Sequence, residues 1–87
     1  HSMTDLTELK NRANLLLEEW DMCCRARPRH NTVDVQLEKD KCASFAYNLA
    51  TLRTWGTENE IAEACYQLET RLKHFKETIV IEVLHSK

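Results

Sequence analysis

Glycine and proline are almost missing from this chain, with one of each in 87 residues. Folds built from many strands need frequent turns, and turns draw heavily on these two residues. Their scarcity disfavours an all-β fold and favours a few long helices. Also missing is any apolar run near the roughly 18 residues that cross a bilayer as a helix, so no membrane partner is expected. The formal net charge is only −2, which gives no general attraction to nucleic acid or anionic lipid. A phosphate cradle would need more glycines and, in the Walker pattern, a following lysine. The HExxH, GxSxG and paired-carboxylate patterns are absent too, so neither an enzyme nor a cofactor is expected. No motif singles out a family.

What remains is the composition of a folded domain, 43% hydrophobic and 30% charged, in a chain short enough for one core. His1, Ser2 and Met3 read as a cloning remnant ahead of a single domain over 4–87, cut from a larger intracellular protein.

Three apolar stripes run through the sequence. The first is Leu6, Leu9, Ala13, Leu16, Trp20 and Cys23, with steps alternating between three and four, which places all six on one side of an α-helix. Pro28 ends that helix, because the residue before a proline is pushed out of helical conformation. The second stripe is Val35, Cys42, Phe45, Leu49 and Leu52, with Glu38 as one polar gap. Ala43, Ala46 and Ala50 beside it are small enough to let another helix approach closely. The third stripe is Ile61, Cys65, Leu68, Leu72, Phe75 and Ile79, without a gap. This predicts an all-α fold, an up-down-up antiparallel three-helix bundle with coiled-coil-like heptad packing and helices over about 5–26, 33–55 and 58–85.

The lone glycine falls in "WGTENE". Gly56 is expected to close the second helix in a positive-φ cap. Thr57 and Glu60 form the S/T-x-x-E capping box that opens the third helix. So short a connection makes helices two and three an antiparallel hairpin.

Few residues carry chemistry. Cys23, Cys24, Cys42 and Cys65 fit no familiar zinc spacing. They read as buried, reduced thiols of a cytoplasmic or nuclear protein. Cys23, Cys24 and His30 are the one cluster that could approach a metal. Cys65 and His74 are nine residues apart on one helix, which sets them on opposite sides and out of reach as a nucleophile pair.

The linker holds Arg25, Arg27, Arg29 and His30 around Pro28. It offers an alternative reading as a nucleic-acid or phosphate site. That reading is disfavoured, because no aromatic residues are interleaved with the arginines, and Arg25 and Arg27 serve equally well to neutralise the carbonyl end of helix one. Trp20 belongs to the core stripe, and Trp55 is expected to cap the end of the bundle.

The most unusual stretch is "ETIVIEVLHSK". Ile79, Val80, Ile81, Val83 and Leu84 are too many apolar residues for one side of a helix. A helix from about Glu58 to His85 would also outreach its neighbours. Such a surface is expected to be covered by a helical segment of a protein partner or by a second copy in a homodimer. Two other readings compete: coverage by Leu15 and Leu17 of helix one, or a short β-strand, for which "TIVIEV" has high propensity.

Overall fold

The computed structural model describes the backbone of residues 3–25 and 33–85, and the side chains of residues 5–25 and 33–78. Three helices make up the described chain: α1 over Met3–Arg25, α2 over Val33–Trp55 and α3 over Glu58–His85. They pack on one another as an all-α three-helix bundle, drawn out into a rod of 51 × 18 × 17 Å. α1 begins two residues earlier and ends one residue sooner than the apolar pattern indicates. The other boundaries agree.

The stripes become the core because each helix turns one apolar side inward. Ala13, Leu16, Ala46, Leu49, Ile61, Ala64, Cys65, Leu68 and Leu72 form the main cluster. Val35, Cys42 and Phe75 form a smaller one. Trp20 and Cys23, half-buried, pack against both and join them. Among the alanines of α2, Ala46 is buried, Ala50 is half-buried and Ala43 is exposed. Ala46 therefore belongs to the core, and Ala43 lies outside it.

The two-residue connection differs from expectation in its mechanism. Gly56 does not take a positive φ. Its amide instead continues the helical pattern, donating to the Leu52 carbonyl at 2.6 Å. A Cβ at position 56 would stand 2.7 Å from that oxygen and 3.0 Å from the Leu52 side chain. Glycine is required here for close approach to the last turn of α2.

Trp55 does not cap the bundle and stays 83% exposed. The inward stripe of α2 would next fall at position 56, so the residue before it faces away.

The capping box forms as read. The Thr57 amide donates to Glu60 Oε1 at 2.9 Å, and the Glu60 amide donates to Thr57 Oγ1 at 3.3 Å. These bonds hold the Glu60 carboxyl below the usual carboxylate range. The stability they add is therefore complete above the unfolded pKa of Glu60 and is lost as pH falls through its lower folded value. Thr57→Ala is expected to cost about 1 kcal/mol at neutral pH. The glutamate half is tested separately by Glu60→Gln, whose cost should be present at pH 7 and vanish at pH 3, where Glu60 is protonated, as urea unfolding at the two pH values would measure. A Glu60→Gln cost that is absent at both would show that the carboxylate contributes nothing.

α1 and α3 run parallel in a fixed register. Arg12 pairs with Glu69 and Glu19 with Lys76, both across 57 residues of chain. The ion pairs are one heptad apart, so a constant offset holds along the seam. On the other side of α1, the Arg53 guanidinium donates to Asn14 Oδ1 at 2.7 Å.

Candidate interaction surface

The cysteines are held as packed thiols. Cys42 and Cys65 are buried, while Cys23 and Cys24 are half-buried. Burial pushes the Cys42 thiol up to about 12, helped by the Glu38 carboxylate beside it. Burial likewise raises Cys65, Cys23 and Cys24. A thiol in this state carries no nucleophilic thiolate at neutral pH. Cys65 sits in the main cluster and His74 on the surface, so the two are not brought together. Among the described residues no group of three or more His, Cys, Asp or Glu is placed to hold a metal ion. His30 lies outside the described residues.

Of the arginine set, only Arg25 is described. It is exposed and paired through Nε to Asp21 Oδ2 at 3.1 Å, one turn back on α1. Arg27 and Arg29 lie outside the described residues.

The C-terminal segment is resolved in one respect. α3 stays helical through His85, which removes the strand reading. α3 has 28 residues against 23 in each of α1 and α2, or ~42 Å against ~35 Å at 1.5 Å per residue. The side chains of Ile79, Val80, Ile81, Val83 and Leu84 lie outside the described residues. Coverage by α1 is not supported by the register, since the 57-residue offset sets Leu15 and Leu17 level with residues 72 and 74. Leu17 turns into the main cluster and Leu15 remains exposed.

One surface feature was not read from the sequence. An open groove of about 790 Å³ lies between α1 and α3. Leu16 and Leu72 contribute apolar surface to it, as do the exposed Leu15 and Tyr66. The Arg12–Glu69 and Glu19–Lys76 pairs also line it. A signal existed in the sequence, because Tyr66, Thr70, Lys73 and Glu77 repeat the heptad steps of the core stripe on a different side of α3. Mixed polarity hid it.

No protein-family model matches the chain, and neither a curated protein nor a solved structure matches it. No helix among the described residues is long and apolar enough to cross a membrane. The fold defines the class as a three-helix bundle, and architecture alone confers no function.

Proposed function

We propose that this bundle is a non-enzymatic protein-interaction and oligomerisation domain, an adaptor or scaffold element working in the cytoplasm or nucleus. Its binding surface is the C-terminal part of α3, namely Ile79, Val80, Ile81, Val83 and Leu84. The observation that carries this reading is the continuity of α3 to His85.

On one continuous helix, five apolar residues among six successive positions are spread around the axis, because each step turns about 100°. Positions 79 and 83 extend the core stripe, and position 81 falls on the opposite side. A three-helix bundle buries only one side of each helix. The remaining apolar positions call for a second protein surface, in the manner of a helix laid against a groove.

Ile81→Glu tests this. A surface position is expected to leave the urea midpoint of the dilute protein within about 0.5 kcal/mol of wild type while weakening retention on a hydrophobic-interaction resin. Loss of folding, or unchanged retention, would overturn the proposal.

A further inference from the structure

We propose that the partner of α3 is a second copy of this chain, docked antiparallel across the α1–α3 groove about a two-fold axis near residue 75. This rests on the interaction reading above and names its partner. The positions Tyr66, Thr70, Lys73, Glu77, Val80 and Leu84 follow one another at steps of four, three, four, three and four. On a helix continuous from Glu58 to His85 they make a second heptad stripe, distinct from the core stripe. The first four line the groove. The last two belong to the apolar C-terminal segment, so groove and segment are successive stretches of one stripe.

The order of residues in that stripe is complementary to its own reverse. A two-fold axis at residue 75 sets position 66 opposite 84, position 70 opposite 80 and position 73 opposite 77. Lys73 thus meets Glu77 of the second copy, and this happens twice. Tyr66 and Thr70 come level with the apolar positions Leu84 and Val80. Both Lys73 and Glu77 are exposed, and neither is tied to another described residue of its own chain. Parallel docking would instead stack lysine on lysine and glutamate on glutamate, and charges flanking a helical seam decide its orientation in this way.

α1 fits the same axis. Leu15 and Met22 are 66% and 69% exposed and seven residues apart, so they share one side of α1. With the 57-residue offset they stand level with residues 72 and 79 of α3, on either side of position 75. The two-fold brings Leu15 within one residue of the level of Met22 of the second copy. The result is an isologous interface of four helices, with each patch meeting its own copy.

Sedimentation equilibrium on the wild type, Lys73→Glu, Glu77→Lys and the double reversal tests the proposal. A wild-type dimer is expected, weakened about ten-fold or more by either single reversal, since each replaces two attractions with two repulsions. The double reversal is expected to restore the wild-type constant, and added salt to narrow the differences. A wild type that stays monomeric at every concentration overturns the second copy as partner. A dimer indifferent to the single reversals, or not rescued by the double, overturns the antiparallel register. Neither result touches the underlying interaction reading, which falls only with the Ile81→Glu outcome.

Discussion

Phe75→Ala is expected to destabilise the domain by about 3–5 kcal/mol, the range for emptying a buried aromatic position. Phe75 is 1% exposed and, among the described residues, is the largest member of a buried cluster that otherwise holds Val35 and Cys42. Its ring also meets Trp20 at a centroid distance of 6.1 Å and a tilt of 58°, a geometry that adds to the burial itself. Deletion would leave a void bordered by three helices, none of which can close it without disturbing the main cluster. An 87-residue domain has a total stability of about 4–13 kcal/mol, so this single change would consume much of it. Urea unfolding monitored by circular dichroism measures the loss. Tyr47→Ala, at a position 78% exposed on α2, serves as the control with little effect. A Phe75→Ala cost below about 1 kcal/mol would mean that the smaller cluster is not close-packed.

Glu38→Leu should act in the opposite sense, stabilising the domain by about 2 kcal/mol. Glu38 stands on the inward stripe of α2 between Val35 and Cys42. Its Oε2 is buried without a hydrogen-bond partner, and among the described residues its Oε1 has only Lys41 Nζ, at 3.7 Å. An ion pair of that length does not repay the loss of water by a carboxylate. Leucine removes the orphaned oxygen and adds apolar surface to the smaller cluster. Glu38→Gln should recover little, because its amide would also need partners at that place. The same substitution removes one of the influences that raise the Cys42 thiol. Burial is the larger influence, so Cys42 stays protonated at neutral pH. The measurement is again the urea midpoint, with thiol labelling at pH 8 as a second readout. A Glu38→Leu protein less stable than wild type would show that water or Lys41 satisfies the carboxylate in solution.

The helices and their inward sides were legible because apolar spacing reports burial directly. Every member of the third stripe from Ile61 to Phe75 is buried, and so are Ala13 and Leu16 in the first. The capping box was legible for a similar reason, since its bonds join residues only three apart. Gly56 shows where local reading fails. A cap glycine suggests positive φ, but the constraint is the Leu52 carbonyl one turn back, which no sequence pattern reveals. The outward turn of Trp55 follows from the same geometry.

Long-range polar pairs were illegible altogether. Arg12–Glu69 and Glu19–Lys76 depend on which helix lies beside which, and on their axial offset. Without that offset the levels of Leu15 and Met22 relative to α3 could not be known, so the groove stayed hidden. The end of α3 was left between helix and strand because β-branched residues favour extended backbone. Continuity with a well-packed helix decided the matter.

The parallel course of α1 and α3 has an electrical consequence. Each helix carries a macrodipole of about half an elementary charge at either end, and α2 cancels only one of the other two. The rod is therefore polarised along its length, with two amino-terminal helix ends gathered at the Gly56 turn. Asp5, Glu58 and Glu60 occupy the first turns there, placing negative charge against the excess positive pole. In an antiparallel pair the two rods would lie head to tail, and the leftover polarity of each would be offset by the other.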